Sequence, residues 1–184
     1  MKAVVGLGNP GKKYEKTRHN YGRMAIHQYL KRFPKESFHK IELDFSLVYR
    51  LEDRLLVEPL IYMNLSGLSV KEVTNKYDLA ASDCLLIYDE YAVPFGKIKA
   101  KPGGSAGGHN GVASVIEELS TREIPRLRLG IGIDAPLSDL VEFVLAEFDS
   151  DEKKQLPALL EKAAEAMDCF FAENLNAMMN RFNK

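Results

Sequence analysis

Tryptophan is missing from this chain, and among its 184 residues cysteine occurs only twice and histidine only four times. Cys84 and Cys169 cannot build a disulfide framework, and neither belongs to a CxxC or Cys/His cluster with zinc spacing. That usage fits a reducing compartment, so a cytoplasmic location is expected. No apolar run approaches the ~20 residues of a membrane span. The opening Met1-Lys-Ala-Val-Val-Gly-Leu-Gly8 is interrupted by Asn9-Pro-Gly11 before a signal-peptide core is complete. The expectation is a protein without membrane association or processing. Excess charge of one sign is missing too, and a net charge of −1 argues against indiscriminate binding to nucleic acid.

What charge there is falls unevenly. Residues 1 to 33 hold eight Lys/Arg against only Glu15, whereas residues 134 to 173 hold eleven Asp/Glu against Lys153, Lys154 and Lys162. Such an arrangement suits a polyanion docking on one side, and it also occurs in proteins that bind none. With 46% hydrophobic residues the chain can fill a sizeable core, and its length fits one domain.

Val4 to Leu7 predicts a buried first strand that stops at the Asn9-Pro-Gly turn. Tyr21, Met24, Ala25, Gln28, Tyr29 and Phe33 recur near helical spacing, giving an amphipathic helix that ends before Pro34. Phe45, Leu47, Tyr49 and Leu51 alternate with polar residues, and this half-buried strand pairs with Arg54–Glu58 through a hairpin at Glu52-Asp53. A polar connection from Pro59 to Gly67 leads to a helix over Leu68–Tyr77. Cys84-Leu-Leu-Ile-Tyr88 is continuously apolar and ends in Asp89-Glu90, as in a central strand with acids at its carboxyl end. Lys97–Lys101 predicts a basic strand, Val112–Leu119 a helix begun at a glycine loop, and Arg126–Gly132 the last strand. Helices follow over Leu140–Phe148 and Gln155–Phe182. The alternation specifies an α/β fold, a single domain whose mixed sheet has helices on both faces.

Three motifs suggest chemistry. Gly6-Leu-Gly-Asn-Pro-Gly11 matches the GxGxxG dinucleotide fingerprint and follows a strand, but Lys12-Lys-Tyr-Glu-Lys-Thr-Arg-His19 has no apolar helical stripe to carry the pyrophosphate-binding helix. Gly103-Gly-Ser-Ala-Gly107 matches the GxSxG nucleophile elbow, yet His19, His27, His39 and His109 are the only histidines and none lies far enough downstream of Ser105. The loop remains a possible cradle for phosphate or carboxylate, or simply a tight turn. His19, His109 and Asp89 are common metal-ligand types, though nothing resembles HExxH or another spaced set, and neither a metal nor a cofactor is expected.

What survives is Asn9 after the first strand, His19 beyond it and Asp89 at the end of the central strand. Histidine can take a proton from water near neutral pH, and a carboxylate on its other nitrogen would fix the tautomer and stabilise the imidazolium. Asn9, Asn64 and Asn110 can hold amide or ester groups and stabilise a developing oxyanion, or merely cap turns and helices.

These residues sit in six blocks: Val5-Gly-Leu-Gly-Asn-Pro-Gly11, Tyr14-x-x-Thr-Arg-His-Asn-x-Gly22, Pro59-x-x-Tyr-Met-Asn-x-Ser-Gly67, Tyr88-Asp-Glu90, Gly104-Ser-x-Gly-Gly-His-Asn-Gly111 and Arg128-Leu-Gly-Ile-Gly132. In order and approximate spacing they resemble the bacterial type of peptidyl-tRNA hydrolase, over nearly the whole chain. The resemblance implies an enzyme that cleaves the ester between the peptide and the terminal ribose of peptidyl-tRNA, with His19 as general base and Asp89 orienting it. It further implies that Asn9 distinguishes a blocked from a free amino group, since an amide can accept from or donate to a peptide bond but cannot compensate an ammonium charge. Asn64 and Asn110 would hold substrate amides, Tyr14, Tyr62 and Met63 would line the pocket, and His109 would belong to the substrate- or tRNA-binding set. Tyr14 or Tyr62 would offer a stacking face for a terminal base. Lys101 and Arg128 would grip the 5′ phosphate of tRNA, with Lys97, Lys99 and Arg126 on the same two strands and the three lysines on one face. Without the resemblance, that row reads as a lysine-protected edge strand. A monomer is the default expectation, and the alternative within the same fold is a non-catalytic RNA-binding relative. Two departures from the family pattern are Asp134 beside Ala135-Pro136 and lysines where arginines are frequent, which exchanges a bidentate grip for point charges.

Overall fold

The fold was analysed in a computed structural model that describes residues 1–134 and 138–184. Seven strands form one sheet in the order β2-β3-β4-β1-β5-β7-β6. At its centre β1 (Lys2–Gly6) lies parallel to both β4 (Arg54–Pro59) and β5 (Cys84–Pro94), with Val5 opposite Val57 on one side and Leu86 on the other. A strand with neighbours on both edges and helices on both faces has no wet side, which is why these three read as apolar runs. β2 (His39–Glu42), β3 (Ser46–Leu51) and β4 form an antiparallel meander. β7 (Arg126–Gly132) continues the parallel set beside β5, and β6 (Ile98–Lys101) closes the edge antiparallel to it.

Two apolar layers flank the sheet. On one face α1 (Tyr21–Leu30), α5 (Ser150–Ala172) and α6 (Leu175–Phe182) bury Ile26, Tyr29, Met167 and Met178 against Val4, Leu85 and Leu127. On the other, α2 (Ser66–Tyr77) and α3 (Asn110–Leu119) bury Val70, Val73 and Val115 against Val5, Leu55 and Leu86. The expected α/β fold with a mixed sheet covered on both faces is what the structure has.

Close approach rather than nucleotide binding explains the early glycines. A Cβ on Gly22 would stand 2.2 Å from the Ile87 carbonyl oxygen, and one on Gly6 would stand 2.5 Å from the Gly22 oxygen. Their absence lets the start of α1 rest on the carboxyl end of β1 and the first half of β5. Gly11 takes φ +98° and is followed by one 3₁₀ turn, Lys12–Tyr14, not the long helix a dinucleotide requires.

Several boundaries differ from expectation. β2 was not foreseen, because Ile41 is its only half-buried apolar residue. β5 runs on to Pro94, and Lys97 lies in the turn before β6, off the strand on which Lys99 and Lys101 sit. α4 spans Leu140–Leu145, ending before Phe148, which is buried outside it. The last long helix is two: α5 starts at a capping box formed by Asp149 and Glu152, and α6 restarts where the Asn174 side chain accepts the Ala177 N–H. Ala135 and Pro136 lie outside the described residues.

The basic beginning and acidic end of the chain meet each other. Arg18 pairs with Glu152 at 2.5 Å, and Arg32 pairs with Glu161 and Asp168 across the α1–α5 contact. Arg18 and Arg32, two of the eight early basic residues, are therefore neutralised by the acidic end within the fold.

Candidate active site

Asp89 stands near the carboxyl end of the parallel strands, on β5, while His19 belongs to a 3₁₀ turn, Arg18–Asn20, that leads into α1. The packing of α1 onto β5 brings them together. His19 Nδ1 lies 3.0 Å from Asp89 Oδ1 and 3.2 Å from Oδ2, with the carboxylate buried and the imidazole partly open. His109, the N-cap of α3, approaches Asp89 Oδ1 through Nε2 at 3.2 Å. Burial alone would raise the Asp89 carboxyl, but hydrogen bonds from His109 and His19 outweigh it and hold the group well below the usual carboxylate range.

The tautomers follow from the partners. An ionised carboxylate only accepts, so His19 carries its proton on Nδ1 and leaves Nε2 with a lone pair. His109 Nδ1 accepts the Val112 N–H at 3.2 Å, which puts its proton on Nε2, facing Asp89. Both nitrogens of His109 are thus engaged. The ligand atoms of His19, Asp89 and His109 fall within 4.8 Å of one another, close enough to consider a metal. A lone pair at Nδ1 of neutral His109 leaves none at Nε2, so the donor set fits a carboxylate bridging two imidazole N–H groups better than a cation.

The dyad opens into a cleft of about 500 Å³ whose lining includes Asn9, Tyr62, Met63, Asn64, His109 and Asn110. Its far wall is α4, which presents Leu140, Val141, Val144 and Leu145. Arg18, the residue before His19, anchors that wall by donating to the main-chain oxygens of Phe143 and Glu147 at 3.3 and 2.8 Å. Asn9 is buried, and its Oδ1 accepts the Met63 N–H at 2.8 Å. Asn64 and Asn110 are exposed, as is Tyr62 at 55%. Tyr14 is not among the described residues lining the cleft, and Lys13 Nζ sits 4.7 Å from its ring centroid.

The basic residues separate into structural and available ones. Arg126 is fully buried and donates to the main-chain oxygens of Gly104 and Ser105, so it holds the glycine loop instead of facing solvent. That bond also explains the loop bearing Ser105 without any nucleophile. Lys99 Nζ donates to the Asn183 main-chain oxygen. Lys101 and Arg128 remain half-buried, Lys101 opposite Arg126 and Arg128 opposite Lys99 in the strand register yet near enough for the two charges to interact, with Arg128 3.7 Å from Glu90. Burial first, and then the neighbouring Arg126 and Arg128, push the Lys101 ammonium below the usual lysine value. Asp134, one of the two departures from the family pattern, is exposed.

A family model described as peptidyl-tRNA hydrolase matches residues 3–184. The chain belongs to the peptidyl-tRNA hydrolase family. A relative of that name from Symbiobacterium thermophilum is 41% identical over 99% of this chain and 98% of that protein, and one from Syntrophomonas wolfei is 39% identical over the full length of both. The crystal structure of peptidyl-tRNA hydrolase from Acinetobacter baumannii superposes with a TM-score of 0.90 at 28% identity, covering 100% of this chain and 94% of that one. Within this peptidyl-tRNA hydrolase fold, three residues had no assigned part in the sequence reading: Arg18, which ties the dyad's turn to α4; Asn20, bonded to Asn9; and Glu90, beside Arg128. Arg18 and Asn20 flank His19 in the Thr-Arg-His-Asn block, but a motif does not say what each member touches.

Proposed function

We propose that this protein hydrolyses the ester joining a peptide to the 3′-terminal ribose of tRNA, releasing both, with His19 as general base. The observation that carries the reading is the His19 Nδ1 contact with a buried, ionised Asp89, which leaves Nε2 without a hydrogen bond among the described residues, beside an open cleft. His19 Nε2 takes a proton from water as its oxygen attacks the ester carbonyl, Asp89 stabilises the imidazolium, and the imidazolium then returns the proton to the departing ribose oxygen. No covalent intermediate is required. Asn64 and Asn110 supply amide donors for the carbonyl oxygen as it becomes an oxyanion. His109 keeps Asp89 oriented, and the apolar face of α4 accommodates the peptide. The exposed Tyr62 ring offers the stacking surface for a terminal base.

Lys101 and Arg128 take the 5′ phosphate of tRNA. Burial first, and then the like charges of Arg126 and Arg128, lower the Lys101 ammonium, and a phosphate beside Lys101 and Arg128 would relieve the repulsive part. Contacts of this kind recognise backbone without reading sequence, as a hydrolase for many tRNAs needs. We place the enzyme in the cytoplasm as a monomer acting in translation; among the described residues no helix is long and apolar enough to cross a membrane.

The test is release of tRNA from an N-acetylated aminoacyl-tRNA, with free aminoacyl-tRNA and added chelator as controls. Chelator-resistant release from the blocked ester alone is expected. A protein that binds tRNA but releases none would be the RNA-binding relative instead, although a pure binder has no use for a base and its orienter.

A further inference from the structure

Two asparagines, Asn9 lining the cleft and Asn20 buried outside its lining, are locked in a relation that the reaction itself does not explain. Asn20 is only 2% exposed. Its Oδ1 accepts the Asn9 N–H at 2.8 Å and its Nδ2 donates to the Asn9 carbonyl at 2.9 Å, so one carboxamide pairs with one residue's main chain as a neighbouring strand would. The orientation is fixed, because a main-chain N–H only donates and a carbonyl only accepts. Gly8 permits the approach: a Cβ there would stand 3.0 Å from Asn20 Oδ1 and 2.5 Å from the Arg23 side chain.

With its main chain held, Asn9 turns Oδ1 to the Met63 N–H. An N–H can face only the oxygen of an amide, so Asn9 Nδ2 is the end left over, beside the cleft and without a hydrogen bond among the described residues. Asn9 therefore offers the substrate a donor. A blocked amino group carries an acyl carbonyl that can accept from it. A free amino group is an ammonium at neutral pH, all donors and positively charged, and meets another donor. Were the amide reversed, its oxygen could accept from the ammonium, and the preference for the blocked ester would weaken.

We propose that Asn20 is a specificity-positioning residue, which by clamping the Asn9 main chain keeps the Asn9 amide turned as a donor and so rejects esters with a free amino group. The proposal rests on the peptidyl-tRNA reading of the same cleft. Its measure is the ratio of kcat/KM for N-acetylated aminoacyl-tRNA to that for free aminoacyl-tRNA, in which losses common to both esters cancel. Asn20→Ala should lower the ratio about tenfold, the scale of one net hydrogen bond. Asn20→Asp preserves size and the bond to the Asn9 N–H but sets a carboxylate oxygen against the Asn9 carbonyl, and should also lower it, providing a second variant should the alanine form fold poorly. In an Asn9→Ala background neither change should move the ratio further. A ratio unchanged in both variants, or reduced equally without the Asn9 side chain, overturns the role of Asn20. Failure of the wild-type protein to cleave the blocked ester would instead overturn the hydrolase reading on which it rests.

Discussion

His19 Nδ1 sits 3.0 Å from Asp89 Oδ1, so the imidazole is held in the tautomer whose free nitrogen can accept a proton. Removing the base by His19→Ala should cut kcat by the ~10²–10⁴-fold typical of general-base catalysis. KM and tRNA affinity should change little, because the imidazole is not part of the phosphate grip. Asp89→Asn leaves the imidazole present but no longer fixes its proton, so its loss should be a smaller share of that factor. Steady-state release of tRNA from a blocked ester measures both; rates untouched by either substitution would remove the dyad from the mechanism.

The depressed Asp89 carboxyl has a consequence for stability. A group whose folded pKa lies below its unfolded value stabilises above the unfolded value, ~4 for aspartate, and loses that contribution as pH falls towards the folded value. The stability difference between wild type and Asp89→Asn should be largest near neutrality and shrink below about pH 4. His109→Ala withdraws one of the two N–H donors and should narrow the same window. Urea titrations at several pH values decide it. A wild-type advantage that grows on acidification would mean the carboxyl is not held ionised.

The dyad was legible in the sequence for a reason, and other features were not. Asp89 follows a five-residue apolar run, and such runs become central parallel strands whose carboxyl ends carry sites. His19 stood in a polar loop directly after the first strand, so chain order placed the two at the same edge. β2 escaped because an edge strand needs little burial, and its exposed polar residues imitate a loop. The α5 start was visible as Asp149-x-x-Glu152, a capping box weaker to the eye than the apolar rhythm further on. Lys99 and Arg126 looked like a basic surface because charge along a chain does not reveal partners. The partners, Asn183 and the glycine loop, are supplied by elements distant in sequence.

Lys101 gives the proposed phosphate grip a pH signature. An ammonium below its usual value loses its charge earlier as pH rises, and an uncharged amine no longer attracts phosphate. Affinity for an acceptor-stem helix with a 5′ phosphate should exceed that for the unphosphorylated helix at neutral pH, and the preference should fade on the alkaline side. Lys101→Arg should retain the preference there, since guanidinium stays charged. Fluorescence anisotropy with the paired helices provides the measurement. No preference at any pH would exclude a phosphate at this position.

Arg18 and Glu152 form a buried ion pair whose side chains are 7% and 9% exposed, and both ends have further duties. Glu152 also accepts the Asp149 N–H at 2.8 Å in the cap of α5, while Arg18 carries the main chain around α4. Breaking such a pair from one side strands the other charge, at about 3–5 kcal/mol. For a chain of this size that corresponds to a fall in Tm of roughly 6–20 °C. Glu152→Gln keeps an oxygen for the cap and should sit at the low end; Glu152→Ala loses cap and charge and should sit at the high end. Arg18→Met combined with Glu152→Leu strands neither charge, so it should be more stable than Glu152→Ala alone, yet it still lacks the donors that fasten α4 beside His19. Its kcat/KM should therefore stay depressed at temperatures where the fold is intact. Thermal melts paired with rates on the same samples test the separation, and a double variant restored in rate as fully as in Tm would show that α4 needs no anchor from Arg18.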